Sequence, residues 1–362
     1  ISVAKGYEVK GENGTYVVSK KPEANVNGTP YVGTFAEAVA SAKSGDIVTV
    51  LDDVTLSESL TLPAGIIFNG NGKQIDGTIN AGGNLTFAGH TKVTAFSASY
   101  YNRTITIGEG ACLEVTGTGR VTLGYGNTFN ITGNIDDAKT ADKANIQPSL
   151  IIPAGISITG GNDAAMNVTN AYIKIGSTTS KPGAANGKFS LNFDNSIVEF
   201  TKELGFYEPT GGMKPAFSMN IENSVFTTGT KLFLTNGSEV TVDNSTVALG
   251  SYIRNSGVLN LINGSTLTGA TIQFGENGGN DGSITVDNSS LTILGGSAAY
   301  AFDGRGVGCI TAKNKAAVEI DYVKDMILKV GDDCTFTYIK LDNCSEVVTN
   351  AEELTSAFKE GK

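Results

Sequence analysis

The chain has 362 residues, of which 46 are glycine and none is tryptophan, and its formal net charge is −10 at pH 7. Only 17% of the residues are charged, a composition that favours short strands and tight turns over helical bundles. The 40% apolar content is enough for a continuous core and argues against global disorder. No Lys/Arg cluster occurs, which argues against a nucleic-acid partner. No run of 18 apolar residues occurs, so we expect no membrane insertion in this chain.

Residues 1–27 predict an N-terminal β-hairpin extension. Two alternating runs, GYEVKG and TYVVSK, flank a Gly-Glu-Asn-Gly turn, and such a pattern is typical of paired antiparallel strands.

Residues 28–52 predict a capping strand and helix. Thr34 and Glu37 have the spacing of a capping box, and Gly45 is predicted to end the helix. Four apolar residues recur at the spacing of one helical face: Phe35, Ala38, Val39 and Ala42. We expect this helix to cover the open first turn of the β array that follows, whose edge would otherwise pair with another chain.

Residues 53–348 predict a parallel β-helix. Short β-prone runs recur every 8 to 12 residues or so, and an Asn-Ser bend repeats at roughly 20 to 28 residues, the length of one solenoid coil. A sandwich has no reason to repeat one turn sequence at that spacing. We therefore predict an all-β fold, a right-handed single-stranded parallel β-helix, with left-handed bend asparagines hydrogen-bonded from coil to coil: Asn195, Asn223, Asn244, Asn263 and Asn288.

This fold sets the expected size and the pattern of the core. About 13 coils at about 4.8 Å each would give a rod of about 60 Å. Alternation along each strand predicts one row of aliphatic residues pointing inward: Ile197, Val225, Val247, Leu267 and Leu291.

Residues 349–362 predict a C-terminal helix. Thr349 and Glu352 form a second capping box, and the segment repeats several residues of the first helix. Two interpretations stay open: the helix caps the solenoid, or it begins a following module.

The segment 27–77 carries a resemblance to a known family. Its pattern runs from Tyr31 through the helix to Gly45-Asp46, the strand at 51–54 and the Gly70-Asn71-Gly72-Lys73 turn. It resembles the opening module of large pectin-lyase-like surface proteins of gut bacteria, which are often described as adhesins. The resemblance implies a right-handed parallel β-helix on an exported bacterial protein, at the cell surface or extracellular, and it implies no particular activity.

No catalytic constellation is recognisable in the sequence. Polysaccharide lyases of this fold need an Arg or Lys base beside Ca²⁺-holding carboxylates, and glycoside hydrolases need clustered acids. The adjacent pairs Asp52-Asp53 and Asp136-Asp137 alternate sides in a strand, and His90 stands alone. The four cysteines lack metal-ligand spacing. We predict no catalytic residues, cofactor or metal, and the alternative that stays open is a carbohydrate-active enzyme.

Binding is the better-supported function. Two irregular stretches, 136–190 and 203–215, interrupt the coil rhythm, and loops on rigid scaffolds commonly carry recognition. The candidate ligand-contacting residues are aromatic or flexible apolar side chains: Tyr100, Tyr101, Phe206, Tyr207 and Met213. We predict a non-catalytic, adhesin-like stalk that displays loops to a host or dietary glycan or to a host surface protein. A self-associating spacer without a ligand is the remaining hypothesis.

Overall fold

The computed structural model describes residues 2–3, 6–12, 14–98, 101–158, 164–180, 189–205, 216–275, 281–295, 299–301 and 308–348. Strands hold 57% of the chain and stack as a parallel β-solenoid, which confirms the predicted fold class. One sheet holds 13 successive parallel pairings, from residues 47–50 to residues 345–348, so at about 4.8 Å per pairing the solenoid is about 60 Å long, close to the predicted length. The predicted C-terminal helix at 349–362 lies outside the described residues.

The described elements follow one another with short connections. They are, in chain order, β1 (Tyr7–Glu12), β2 (Thr15–Lys20), β3 (Ala24–Val26), β4 (Thr29–Pro30), α1 (Phe35–Ser41), β5 (Ile47–Val50), β6 (Val54–Thr55), β7 (Leu60–Leu62), β8 (Ile67–Asn69), β9 (Gln74–Ala81), β10 (Leu85–Ala88), β11 (His90–Ala98), β12 (Thr104–Ile107), β13 (Cys112–Val115), β14 (Val121–Leu123), β15 (Thr128–Thr132), β16 (Leu150–Ile152), β17 (Ile156–Ile158), β18 (Ala164–Thr169), β19 (Tyr172–Ile175) and β20 (Thr178–Ser180). The second half holds β21 (Phe189–Asp194), β22 (Ile197–Phe200), β23 (Phe217–Glu222), β24 (Val225–Thr228), β25 (Leu232–Leu234), β26 (Glu239–Asp243), β27 (Thr246–Leu249), β28 (Tyr252–Asn255), β29 (Val258–Ile262), β30 (Thr266–Gly269), β31 (Thr271–Phe274), β32 (Gly282–Asp287), β33 (Ser290–Ile293), β34 (Ala299–Ala301), β35 (Gly308–Lys313), β36 (Ala317–Lys324), β37 (Met326–Val330), β38 (Thr335–Asp342) and β39 (Ser345–Val348).

The N-terminal region has the two elements predicted for it. β1 and β2 pair antiparallel, with Val9 opposite Val18. The helix α1 begins after Thr34, whose hydroxyl accepts from the Glu37 N–H at 3.2 Å, while a Glu37 carboxylate oxygen accepts from the Thr34 N–H at 2.8 Å. Phe35 is buried and meets the ring of Phe68 at 6.1 Å between centroids. The helix therefore covers the first coil, although it ends at Ser41, before the predicted Gly45.

Each central coil contributes three strands. One strand joins a 16-stranded sheet, in which β23, β26 and β29 are consecutive neighbours, and this sheet is called here the large sheet. The other two strands form two further faces, as β24 and β25 do in one coil and β27 and β28 in the next. All these pairings are parallel and in register, so side chains of equal position stack into rows along the rod.

The face formed by β22, β24, β27, β30 and β33 has one inward row. At three coils this row holds the predicted residue, and at the other two it holds the residue after the predicted one. Its members, each no more than 1% exposed, are Val198, Phe226, Val247, Leu267 and Leu291. Ile197 and Val225, predicted to point inward, face outward instead. The reason is that a serine one or two places after each bend asparagine occupies an inward position, so the next inward residue is two places beyond that serine.

Candidate functional site

The bends that leave the large sheet form one edge of the solenoid, called here the asparagine edge. Its predicted asparagines all have φ between 43° and 56°: Asn195, Asn223, Asn244, Asn263 and Asn288. The Asn195 amide donates to the Asn170 side-chain oxygen at 2.8 Å, and the Asn244 amide donates to that of Asn223 at 2.7 Å. Asn263 donates instead to Asp243 at 2.8 Å.

A column of buried serines lies directly beneath these asparagines and was missed in the sequence. Its members are Ser196, Ser224, Ser245, Ser265 and Ser289, each no more than 5% exposed. The Ser224 N–H donates to the Ser245 hydroxyl at 2.9 Å, and the Ser245 N–H donates to the Ser265 hydroxyl at 3.2 Å. The signal was visible, because a serine directly follows four of the five bend asparagines and follows Asn263 after one glycine. Since its polar groups bond to one another, this edge has a structural role.

The long segment 133–149, called here the strap, lies against the asparagine edge. Asn195 donates to the backbone oxygens of Ile135 and Asp136 at 2.9 and 3.0 Å, and Lys139 donates to the Asn244 side chain at 2.8 Å. A small apolar cluster lies beneath the strap: Ile135, Ala138, Tyr172 and Ile197. The stretch 136–190, which was predicted to be irregular, therefore has two parts within the described residues. The first belongs to the anchored strap, and the second consists of solenoid strands from β16 onward.

The opposite turns, which lead into the large sheet, form a second edge called here the loop edge. Four of the five predicted contact residues, Tyr100, Phe206, Tyr207 and Met213, lie outside the described residues. Tyr101 is described and 64% exposed. Its ring lies 5.1 Å from that of Tyr125, centroid to centroid, at an interplanar angle of 53°. Tyr125, from the next coil and itself 39% exposed, was missed, although Gly124-Tyr125-Gly126 marks a turn one coil later.

The coil-to-coil ladder fixes the backbone on both sides of this tyrosine pair. The Asn102 N–H donates to the Tyr125 carbonyl at 2.8 Å. The Arg103 N–H donates at 2.8 Å to the side-chain oxygen of Asn127, which is fully buried. Two exposed rings are thus held on a rigid base, an arrangement that offers rigid contact area at a small conformational-entropy cost.

A groove of about 580 Å³ lies farther along the loop edge. One outward row runs through it in register: Glu239, Val258, Ser283, Cys309 and Ile327. Asp281 and Lys329 also line it. Such a groove combines apolar contact with hydrogen-bonding groups and has the volume of a small-ligand site.

The adjacent acidic pairs act as turn caps. The side chain of Lys21 donates to Asp52 at 3.0 Å and lowers the pKa of that carboxyl, while Asp53 accepts from the Gln74 N–H at 2.9 Å. The Lys139 N–H donates to Asp137 at 3.0 Å and likewise lowers its pKa. The carboxylates of Asp52, Asp53 and Asp137 thus bind neighbouring backbone and side-chain groups.

His90 and Cys112 lie side by side on adjacent coils. The His90 Nε2 lies 2.8 Å from a Glu114 carboxylate oxygen. Burial raises the pKa of the Cys112 thiol to about 12, so this sulfur stays protonated and a poor nucleophile at neutral pH. All four cysteines are free.

Across the described ranges, no group of three or more His, Cys, Asp or Glu side chains is arranged to hold a metal ion. The same part of the chain contains no helix whose length and apolar character suit a membrane crossing. Compared with protein families, curated proteins and solved structures, the chain has no match.

Proposed function

We propose that this chain is a non-catalytic β-solenoid scaffold of the bacterial cell surface or extracellular space that binds a glycan along its loop edge. The observation that carries the proposal is the exposed Tyr101–Tyr125 pair, held by hydrogen bonds between two coils. A tyrosine ring has an apolar body and a polar tip, which suits it to the apolar ring face and the hydroxyl rim of a sugar.

The groove lies on the same edge of the solenoid. The turn before β26, which borders the groove, lies four rungs from the turn before β15, which bears Tyr125. At about 4.8 Å per rung this is about 20 Å. An extended polysaccharide lying parallel to the rod axis would contact both, with its hydroxyls near Glu239 and Asp281.

Two features support an exported location. The solenoid fold agrees with the resemblance of residues 27–77 to surface proteins of gut bacteria, and an acidic, charge-poor rod suits a display role. A rigid scaffold with ligand contacts on one edge presents them at a fixed spacing, which favours repeated, multivalent contact with a polymeric ligand.

The tyrosine pair provides the test. Glycan-array screening against host and dietary glycans would identify the ligand, and titration calorimetry would then give the intrinsic affinity. We expect Tyr101→Ala and Tyr125→Ala each to weaken binding about tenfold, as for other aromatic contacts worth about 1–3 kcal/mol. Tyr101→Phe and Tyr125→Phe keep the ring and retain most of the affinity.

Tyr16→Ala is the matched control, because Tyr16 is 65% exposed on the N-terminal hairpin, away from the loop edge. An equal loss of affinity in Tyr16→Ala would contradict the placement of the site. Turnover of a bound polysaccharide would contradict the non-catalytic assignment, and absence of any glycan ligand on the array would contradict the proposal as a whole.

A further inference from the structure

Two residues that line the groove on the loop edge have charged side chains with no ionic partner among the described residues. Glu239 on β26 and Lys329 on β37 both occupy outward, exposed positions of the large sheet. Within the described part of the chain neither side chain forms an ion pair or a hydrogen bond. Asp281 adds a second negative charge to the lining. The charges of Glu239 and Lys329 are therefore available to a ligand.

These two charges lie at opposite ends of the groove. The strands β26, β29, β32, β35 and β37 pair in succession, so Glu239 and Lys329 are four rungs apart. At about 4.8 Å per rung, the separation along the rod is about 20 Å. This distance is too long for a mutual ion pair, and it leaves room between the charges for an extended ligand of several units.

The floor of the groove between the two charges is uncharged. One outward row holds, in register, Val258, Ser283, Cys309 and Ile327. Val258 is 39% exposed, and the other three side chains are partly exposed. A ligand that lies along this floor meets a negative charge at one end, apolar and weakly polar groups in the middle, and a positive charge at the other end.

An extended polysaccharide fits this floor better than an extended peptide does. Peptides that lie along a β-sheet commonly pair with an exposed strand edge. The five strands beneath the groove are already paired with a neighbour on both sides, so they offer no such edge. A sugar chain needs no strand edge, because its ring faces and hydroxyl groups contact side chains.

We propose that the groove binds a zwitterionic glycan, with a protonated amino group of the glycan at Glu239 and a carboxylate at Lys329. This inference rests on the proposed function and adds the chemical class of the glycan. A uniformly anionic glycan would meet the like charges of Glu239 and Asp281, and a uniformly cationic one would meet that of Lys329. Like charges brought together at an interface disfavour binding, so a chain that carries both signs is selected.

Two forms of one oligosaccharide test this selection. The probe is a hexasaccharide of alternating glucosamine and glucuronate with free amines. Its N-acetylated form keeps the chain and the carboxylates but loses the positive charges. Titration calorimetry with the full chain, below neutral pH where the amines are protonated, measures both affinities. We expect the free-amine form to bind about tenfold more tightly, the size of one hydrogen bond to a charged group.

Substitutions at the two ends of the groove separate the two contacts. Glu239→Gln is expected to abolish the preference for the free-amine form, and Lys329→Met is expected to weaken binding of both forms about tenfold. Glu319→Gln and Lys43→Met are the matched controls, because both residues are exposed and lie outside the groove. The controls are expected to bind like the wild type, and circular dichroism establishes that all variants are folded.

Several results would overturn the inference. One is equal affinity of the wild type for the two forms, or binding of neither. Another is unchanged binding by Glu239→Gln and Lys329→Met. Equally tight binding of an alternating Lys-Glu peptide would show that charge alone selects the ligand. A neutral glycan that binds through Tyr101 and Tyr125 and is insensitive to both charge substitutions would overturn this inference but leave the proposed function intact.

Discussion

At the scale of single residues, an asparagine and a serine form the bend of each central coil at the asparagine edge. The asparagine adopts the left-handed backbone conformation that most residues avoid. The serine beside it is buried, and its hydroxyl is hydrogen-bonded. The Ser245 hydroxyl donates its one hydrogen to the Asp243 carbonyl at 2.6 Å, with the Ile221 carbonyl also within reach at 3.1 Å, and accepts from the Ser224 N–H at 2.9 Å. A buried group with these partners is costly to remove.

We expect Ser245→Ala to lower the free energy of unfolding by about 1–3 kcal/mol, because it leaves the buried Ser224 N–H without its acceptor. Urea denaturation followed by circular dichroism measures the change. Ser290→Ala removes the same hydroxyl from a half-buried, outward position on β33 and is expected to change stability by less than about 0.5 kcal/mol. Equal effects of the two substitutions would show that the serine column has no special role.

At the scale of elements, the helix α1 protects the first coil and depends on its capping box. The Thr34 N–H and hydroxyl donate to the Glu37 carboxylate at 2.8 and 3.0 Å. The backbone hydrogen bond, followed by the hydroxyl bond, lowers the pKa of Glu37 from its ordinary value of 4.5. A lowered carboxyl pKa means stability that is present above 4.5 and lost as the pH falls through the folded value.

The capping box therefore predicts a pH-dependent effect of Glu37→Gln. At pH 7 the wild type is expected to melt at a higher temperature than this variant, and the difference is expected to shrink as the pH falls below about 4. Glu58→Gln, on an exposed turn, is the matched control for loss of one charge. A difference in melting temperature that is the same at pH 7 and pH 3 would contradict the role of the ionised Glu37.

At the scale of the whole molecule, the two ends of the described solenoid differ: a helix covers the first coil, and no described element covers the last. Each coil contacts mainly its two neighbours, so the stability of such an array is nearly one-dimensional and terminal coils open most readily. Phe35 and the helix stabilise the first coil, whereas Tyr338 and Phe336 at the last coil lack comparable cover within the described residues.

Hydrogen exchange is expected to show this asymmetry. Backbone amides of β37 and β38 are expected to exchange faster than those of β5 and β8, and those of the central strands β26 and β29 are expected to exchange slowest. Mass spectrometry of peptic fragments resolves these regions. Uniform exchange along the rod would indicate that the solenoid opens as a single cooperative unit.

Much of this architecture could be predicted from the sequence because it is local. Thr34 and Glu37 define the helix start by spacing alone, and each bend asparagine marks its own coil. Whether a strand residue points inward or outward was harder to predict. The orientation of Ile197 and Val225 depends on whether the serine before each of them points inward. Tyr125 was missed for another reason: its partner Tyr101 is distant in sequence, and only the register of two coils brings the rings together.

The direction of the backbone hydrogen bonds has a mechanical consequence. The ladder bonds lie nearly parallel to the rod axis, so a pull on the two ends loads the contacts between coils in series. A coil of 21 residues, as between Asn223 and Asn244, advances the rod by about 4.8 Å when wound and spans about 70 Å when unwound. Under tension such a rod would lengthen stepwise and dissipate work coil by coil before its covalent chain became taut.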